Sequence, residues 1–234
     1  MTDWLPVRTA DGSWTLAHPL HGETCHSTAG AWQQALERYA RPCRLRERAL
    51  SGARELRLLD IGTGLGLNLA AALSELDGTA CRLQVDSFES SPAVVASMFE
   101  LVAREGALDP RAEPWHRIVR DALRERTPRA LELGVVGTLR VHWGDARREL
   151  PALAEPLRYD AVFLDPFSPR RQAELWEPAF LAEVARRMAV GAWLSTYTVS
   201  KPVRRALGAN GLRVLPGPAV GRKREGTLAE RPGA

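Results

Sequence analysis

A glycine-rich turn is the first feature of this sequence whose residue types and spacing could bind a ligand. It reads Asp60-Ile61-Gly62-Thr63-Gly64-Leu65-Gly66, between an apolar run and an Ala/Leu-rich stretch. Glycine permits positive φ angles, so backbone amides in such a turn can approach a ligand closely. A helix that begins after the turn would direct its N-terminal amides at the same ligand. Taken alone, the turn predicts only a nucleotide-like cofactor, because glycines also serve plain turns.

An acid at the end of the next predicted strand strengthens this interpretation. Glu89 can accept hydrogen bonds from both hydroxyls of a ribose. NAD could use the same arrangement, but the form Asp-x-Gly-x-Gly-x-Gly is more similar to S-adenosylmethionine (SAM)-dependent methyltransferases. We therefore predict that SAM is the cofactor and that the turn and this acid bind it, through Asp60, Gly62, Thr63, Gly64, Gly66 and Glu89.

A second acid follows the apolar run that ends at Trp143, in the segment Trp143-Gly144-Asp145-Ala146. In class I methyltransferases, which this pattern resembles, an acid at this point bonds the adenine amino group. The alternative is that Asp145 caps the helix expected after it, a common use of aspartate. We assign Gly144 and Asp145 to cofactor binding, with the helix cap as the competing interpretation.

A third acid, Asp165, follows the run Val162-Phe163-Leu164 and opens the segment Asp165-Pro166-Phe167-Ser168-Pro169. Asp-Pro-aromatic here is similar to the motif of amino-group methyltransferases. An alkylamine is mostly protonated at neutral pH, so a carboxylate can hold the ammonium, accept its proton and orient the resulting amine. We predict that Asp165 is catalytic and that Pro166 and Phe167 contact the substrate. A plain turn is the alternative.

Two further stretches carry side chains that could bind ligands. Three histidines, Glu23 and Cys25 lie within residues 18–26, but without the spacing of a zinc site, so we predict no metal and a lid in which Glu23 and His26 contact the substrate. Near the end of the chain, Arg222 and Arg224 are candidates for phosphate contacts. Their alternative is a charged hairpin end.

The elements that must position these residues alternate between strands and helices. We predict strands at 56–61, 82–89, 138–143, 159–164 and 192–198, helices at 174–189 and 201–209, and a terminal antiparallel pair within 211–229. This order predicts an α/β fold with a doubly wound, mostly parallel sheet, in which ligands bind at the carboxyl ends of the strands. We expect a methyltransferase domain over residues 51–229, with an extension over 1–50 made of a β-hairpin at 12–27 and a helix at 30–40.

Composition limits the class of protein. The chain has 234 residues, 45% hydrophobic and 26% charged, which is typical of a globular domain. It has no apolar run of about 18 residues, so no membrane span is expected. Three widely spaced cysteines and a start without signal-peptide character lead us to expect a cytoplasmic protein. The net charge of +4 is mild, but clustered arginines suit phosphate contacts as well as a solvated surface.

Taken together, these motifs resemble the methyltransferase half of the bifunctional tRNA 5-methylaminomethyl-2-thiouridine biosynthesis proteins (MnmC), and more closely its stand-alone form. The resemblance rests on the segment 22–27, the block from Phe163 to Trp176, Thr196-Tyr197-Thr198 and residues 221–225. Two residues depart from the family pattern. Pro166 stands where the family often has Gly or Ala, and Cys25 replaces a tyrosine.

The resemblance implies a Rossmann-like class I methyltransferase that acts on the anticodon region of tRNA. Its substrate would be the 5-aminomethyl group of a wobble (2-thio)uridine, converted to 5-methylaminomethyl. We expect no flavin, because 234 residues leave no room for the flavin-dependent half. The alternative is a small-amine or polyamine transferase related to spermidine synthases, although clustered arginines would repel cationic polyamines.

Overall fold

One eight-stranded sheet forms the centre of the molecule. The computed structural model describes residues 4–20, 22–125, 127, 129–154, 157–221 and 225–233. A two-stranded sheet pairs β1 with β2, and the order in the large sheet is β5-β6-β4-β3-β7-β8-β10-β9. The strands are β1 (Leu5–Arg8), β2 (Trp14–Ala17), β3 (Glu55–Ile61), β4 (Arg82–Glu89), β5 (Leu131–Glu132), β6 (Gly137–Trp143), β7 (Tyr159–Leu164), β8 (Met188–Thr196), β9 (Arg213–Gly217) and β10 (Gly226–Glu230).

Helices connect the parallel strands. They are α1 (Ala31–Gln34), a π-helix (Ala35–Ala40), α2 (Leu45–Leu50), α3 (Leu67–Glu75), α4 (Pro92–Val102), α5 (Glu113–Arg124), α6 (Ala146–Ala152), α7 (Pro178–Arg186) and α8 (Lys201–Ala209), with short 3₁₀ turns at Gly134–Val136 and Ala173–Trp176. Among the described helices, none is both long and apolar enough to cross a membrane.

The five central strands are parallel, and the outer ones are antiparallel. β3 pairs with β4 on one side and with β7 on the other, so the chain reverses its direction of travel across the sheet between these neighbours. This is the topological switch point, where a doubly wound sheet opens a crevice at its carboxyl edge. The expected fold class is therefore confirmed, and the glycine turn after β3 and Asp165 after β7 lie side by side.

Side chains of the central strands alternate between two cores. Leu58 packs in a core on one face of the sheet, together with α3 and the N-terminal helices, and Leu59 packs in a second core with α7 and α8. This alternation is the ordinary consequence of strand geometry. Because both faces are covered, β3 and β7 carry successive buried apolar residues, Leu58-Leu59 in β3 and Val162-Phe163-Leu164 in β7.

The N-terminal extension differs from the prediction in its pairing. We expected a hairpin within residues 12–27, but the regular partner of Trp14–Ala17 is the upstream strand Leu5–Arg8. Downstream there is a single bridge, between Ala17 and Thr24. The helix expected at 30–40 is present, with its second half wound as a π-helix. Single π turns inside helices occur frequently at functional sites.

The helix expected over 174–189 is also shorter than predicted. Residues Ala173–Trp176 form a 3₁₀ turn, and α7 begins only at Pro178, the first-turn position that proline favours. α7 ends at Arg186, and β8 begins at Met188 rather than at residue 192. The terminal antiparallel pair is present as β9 and β10, and β10 also pairs with β8.

Candidate active site

A cavity of about 760 Å³ opens at the carboxyl edge of the sheet. It lies within the range of about 300–1,000 Å³ that is usual for small-molecule sites. Its wall joins segments that are far apart in sequence: the loop after β2, the glycine turn after β3, the ends of β4 and β6, and the segment after β7. The topology therefore brings the predicted motifs to one place.

The glycine turn adopts backbone angles that favour glycine. Gly62 has φ of 100° and Gly64 has φ of 52°. A Cβ atom on Gly62 would lie 2.8 Å from the backbone oxygen of Asp165, so the two loops touch through their main chains. Gly62, Thr63 and Gly64 all line the cavity. This part of the turn is placed as the sequence predicted.

Glu89 anchors the turn and also faces the cavity. Its Oε2 accepts a hydrogen bond from the backbone N–H of Gly64 at 2.9 Å, and its Oε1 accepts one from Ser91 at 2.7 Å. Burial raises the pKa of this carboxyl, and the backbone hydrogen bonds oppose that shift. Each carboxylate oxygen keeps a further lone pair for a ligand hydroxyl.

Two residues assigned to the cofactor lie beneath the cavity, outside its lining. Asp60 is fully buried and accepts a hydrogen bond from Ser87 at 2.6 Å, and Ser87 also bonds Thr63. Burial is the main cause that raises the pKa of Asp60 well above its usual range. Gly66 directly precedes α3, and a Cβ there would lie 2.9 Å from Val119 of α5. The structure therefore places both as supports of the turn.

Asp145 lines the cavity and also caps a helix. Its carboxylate accepts a hydrogen bond from the backbone N–H of Arg147 at 3.0 Å and pairs with the Arg147 guanidinium at 2.6 Å. The pKa of Asp145 is lowered, first by that side-chain hydrogen bond. Gly144, with φ of 149°, lines the cavity beside it. The competing interpretation of Asp145 as a cap is thus realised in the structure.

Asp165 is held at the cavity wall by two donors that the sequence did not single out. Its Oδ1 accepts a hydrogen bond from the Tyr39 hydroxyl, and its Oδ2 accepts one from Asn68 Nδ2 at 2.8 Å. Burial, and then the charge of Asp165, raise the pKa of Tyr39, so the phenol stays a neutral donor. Hydrogen bonds to both oxygens stabilise a carboxylate and fix its orientation.

The segment after Asp165 is tied down by several side chains. The Tyr197 hydroxyl donates to the Pro166 carbonyl at 2.9 Å, and Trp176 Nε1 donates to the Phe167 carbonyl at 2.8 Å. The backbone N–H of Phe167 donates to Gln172 at 3.1 Å. The segment from Asp165 to Ser168, here called the acceptor loop, is therefore fixed along its length.

Glu23 completes this fixation from a segment far away in sequence. Its Oε2 accepts a hydrogen bond from the backbone N–H of Ser168 at 3.0 Å, and its Oε1 accepts one from the Ser168 hydroxyl at 2.5 Å. The lid residues and the acceptor loop are therefore in direct contact. In the structure, the carboxylate of Glu23 holds the loop.

His26 and Cys25 line the cavity beside Glu23. His26 is buried, with its Nδ1 at 3.2 Å from the Thr15 hydroxyl. Burial, with a smaller effect of His116, lowers the pKa of His26 to about 4. Burial, followed by the charges of Glu89 and Asp165, raises the pKa of the Cys25 thiol. At neutral pH both side chains are uncharged.

An aromatic wall made of Trp4, His18 and Phe167 lines the cavity near the acceptor loop. The rings of Trp4 and Phe167 are stacked, with centroids 5.9 Å apart. His18 contacts both edge-on, at 4.8 Å and 5.2 Å. Phe167 was predicted at the site, whereas Trp4 gave no signal, because a lone tryptophan near a chain end reads as core.

Two of the predicted substrate contacts, Arg222 and Arg224, lie outside the described residues, as does His21 of the histidine-rich stretch. Within the described ranges, no three His, Cys, Asp or Glu side chains come together as a group that could hold a metal ion.

The described residues fit SAM. The turn brings Gly62 and Gly64 to the cavity, both at positive φ, and Glu89 offers a carboxylate at the end of β4. Tyr39 and Asn68, whose roles the sequence did not predict, complete the site by holding Asp165, and Tyr197 of the segment Thr196-Tyr197-Thr198 lines the cavity. Tyr39 read as an apolar member of a helical pattern, so its hydroxyl gave no signal.

Comparisons with known proteins agree with this geometry. Residues 112–232 match the family described as S-adenosyl-L-methionine-dependent methyltransferase. The crystal structure of MnmC2 from Aquifex aeolicus superposes with a TM-score of 0.82 at 34% identity, covering 100% of this chain and 73% of that one.

Two curated relatives are named tRNA 5-methylaminomethyl-2-thiouridine biosynthesis bifunctional protein MnmC. The protein of Cupriavidus metallidurans is 33% identical over 96% of this chain and 33% of its own length. That of Paracidovorax citrulli is 34% identical over 97% of this chain and 35% of its own length. The chain thus spans about a third of these relatives.

A SAM-dependent methyltransferase is indicated by the glycine turn beside Glu89, by the acid at the end of β7 and by the family match. The chain belongs to the S-adenosyl-L-methionine-dependent methyltransferases, as an MnmC-like methyltransferase domain whose cofactor is SAM.

Proposed function

We propose that this chain methylates a primary amine on tRNA, the 5-aminomethyl group of a wobble (2-thio)uridine in the anticodon region. The observation that carries the proposal is the position of Asp165, at the cavity wall beside the glycine turn with both carboxylate oxygens held by donors. A fixed carboxylate at that point suits an amine, which must lose a proton and aim its lone pair.

In this proposal the cofactor supplies an electrophilic methyl group on a positively charged sulfur. Asp165 binds the substrate as its ammonium, accepts one proton and holds the neutral amine with its lone pair toward the methyl carbon. That lone pair would form the new N–C bond, and the sulfur of bound SAM would keep the electron pair of the S–C bond. Tyr39 and Asn68 keep the carboxylate from turning away, which serves orientation.

The cofactor contacts are part of the same proposal. Glu89 accepts hydrogen bonds from the ribose hydroxyls, while Gly62, Thr63 and Gly64 offer backbone atoms to the methionine part. Gly144 and Asp145 meet the adenine, and Asp145 does so with its remaining lone pairs because Arg147 already occupies others. Asp60 and Gly66 support the glycine turn from beneath it.

The substrate contacts follow from the same wall. Pro166 and Phe167 present the acceptor loop and a π face to the base, Glu23 acts by holding Ser168, and His26 contributes a neutral surface. Arg171 is exposed and lines the cavity, where it can meet a phosphate. Arg222 and Arg224 remain candidates for further phosphate contacts.

The names of the MnmC relatives support tRNA over the alternative, transfer to a small amine or polyamine. The chain spans about a third of these relatives, whose names call them bifunctional, so their second activity is not part of the proposal.

The test is methyl transfer by the purified protein. With SAM and tRNA that carries 5-aminomethyl uridine, mass spectrometry of the digested nucleosides should show one added methyl group. Asp165→Asn should lower the rate by about 10²–10⁴-fold, the usual contribution of a general base, with unchanged affinity for S-adenosylhomocysteine. Methylation of putrescine without tRNA, or full activity of the variant, would contradict the proposal.

A further inference from the structure

Asn68 lies where the glycine turn runs into α3 and lines the cavity. Only 4% of the residue is exposed. Its Nδ2 donates to Asp165 Oδ2 at 2.8 Å. A carboxylate oxygen accepts hydrogen bonds, so the amide nitrogen must face Asp165. This contact fixes the orientation of the amide and leaves its oxygen on the other side.

That oxygen, Oδ1, is buried and accepts no hydrogen bond from the described part of the chain. Buried acceptors without a partner are uncommon in folded proteins and cost free energy. Gln34, another amide near this wall, has a partner for its oxygen, because its Oε1 accepts a hydrogen bond from the backbone N–H of Ser27. Asn68 is therefore a buried acceptor, at the wall of a ligand cavity, without a donor.

The charge around Asn68 indicates the kind of donor that is missing. Asp165 is in contact with it, and Glu89 lines the same cavity. Burial is the main cause that raises the pKa of the Cys25 thiol in that cavity, and the charges of Glu89 and Asp165 raise it further, so negative potential reaches across the site. A cationic N–H donor is favoured in such a field over a neutral one.

We propose that Asn68 is a ligand-contacting residue whose Oδ1 accepts a hydrogen bond from a primary ammonium or amine bound against Asp165. The proposal rests on the amine methylation proposed above. A nitrogen with two or more N–H groups can donate one to Asp165 and one to Asn68, which fixes the direction of its lone pair. Two ligands offer this chemistry: the amine of the substrate and the ammonium of the methionine part of SAM.

The test compares Asn68→Leu with Tyr39→Phe. Each variant removes one donor to Asp165, but only Asn68→Leu also removes an acceptor on a residue that lines the cavity. A purely positioning role of Asn68 therefore predicts equal effects of the two. Asn68→Ala gives the same comparison if the leucine variant does not fold, and circular dichroism checks the fold of each.

Two pairs of ligands separate the sources of the amine, both measured as equilibrium dissociation constants. The first pair is S-adenosylhomocysteine and 5′-methylthioadenosine, which lacks the amino acid part. The second pair is tRNA with and without the aminomethyl group, measured with S-adenosylhomocysteine present. The preference within a pair is the ratio of the two dissociation constants. Because a hydrogen bond to a charged group is lost, Asn68→Leu should reduce this ratio by about tenfold or more in one pair, and Tyr39→Phe by less than about threefold.

A lost preference in the first pair assigns Asn68 to the cofactor, and a lost preference in the second assigns it to the substrate. Unchanged preference in both pairs, or equal losses in Asn68→Leu and Tyr39→Phe, overturns the proposal. Failure of the proposed function is recognised separately, from the wild-type protein. If the wild type neither prefers nor methylates tRNA with the aminomethyl group, the proposed function is wrong. The first pair alone then decides the role of Asn68.

Discussion

Substitution of Gly62 by alanine tests whether the glycine turn and the acceptor loop work through their close backbone approach. At φ of 100°, an alanine is strained by about 1–2 kcal/mol. Its Cβ would also lie 2.8 Å from the oxygen and 3.1 Å from the carbonyl carbon of Asp165. Neither atom belongs to a flexible side chain, so the backbone of Asp165 must move.

The consequence for catalysis follows from this displacement. A misplacement of about 1 Å near a reacting group can cost about 100-fold in rate. We expect Gly62→Ala to lower kcat for methyl transfer by about that factor. The melting temperature should fall by at least about 2–4 °C, the shift that corresponds to 1 kcal/mol in a chain of this size.

Gly78→Ala is the matched control. Gly78 has φ of 71°, and an added Cβ meets nothing within 4 Å. It should therefore show the strain alone, a lower melting temperature with unchanged kcat. Differential scanning calorimetry and single-turnover methylation measure the two quantities. If both variants lose stability equally and Gly62→Ala keeps its rate, the backbone contact with Asp165 has no part in catalysis and the reasoning is refuted.

Three further predictions concern residues around the cavity. The pKa of His26 is about 4 in the folded protein and 6.5 in the unfolded chain, so the unfolded state binds the proton first as the pH falls. The free energy of unfolding should therefore decrease by up to about 3 kcal/mol between pH 6.5 and pH 4. His26→Asn should flatten this pH dependence of stability in urea titrations, and an unchanged slope would assign the dependence to other groups. Glu23→Gln and Ser168→Ala should each lower kcat/KM, and a double-mutant cycle should give a coupling of about 0.5–3 kcal/mol; additive effects would mean that their hydrogen bonds do not act together. Asp60→Asn should change the S-adenosylhomocysteine affinity by less than about threefold, because the buried carboxyl touches Ser87 and not the cavity; a large loss would place it on the cofactor.

The sequence predicted the central sheet well, because each strand carries several buried apolar residues and the strands alternate with helices along the chain. Arg82–Glu89 and Tyr159–Leu164 have the predicted bounds. The N-terminal pairing was predicted only in part, because Trp14–Ala17 pairs on both sides: regularly with the upstream strand Leu5–Arg8, and through one antiparallel bridge with Thr24 downstream. The helix expected over 174–189 is present only as Pro178–Arg186, because Ala173–Trp176 form a separate 3₁₀ turn and Pro178 starts a new helix.

Part of the candidate site could be predicted from the sequence, and part could not. Gly62, Glu89 and Asp165 follow strands, and parallel strands end at one edge, so their meeting could be predicted. The hydrogen bond from Tyr39 to Asp165 spans 126 positions, and nothing local marks it. Hydroxyl and amide groups in apolar patterns, such as those of Tyr39 and Asn68, disclose their partners only after the chain has folded.

The fixation of the acceptor loop decides which molecule must adapt when substrate binds. Tyr197, Trp176 and Glu23 hold the loop at Pro166, Phe167 and Ser168, so its conformational entropy is already lost on folding. Binding does not have to order the loop again. On the proposed function, the rearrangement falls on the nucleic acid: the modified nucleotide must leave its stack and enter a preformed cavity, which costs a few kcal/mol of unstacking. That cost is smaller for a nucleotide that is already single-stranded, so on the proposed function it favours a substrate in a loop.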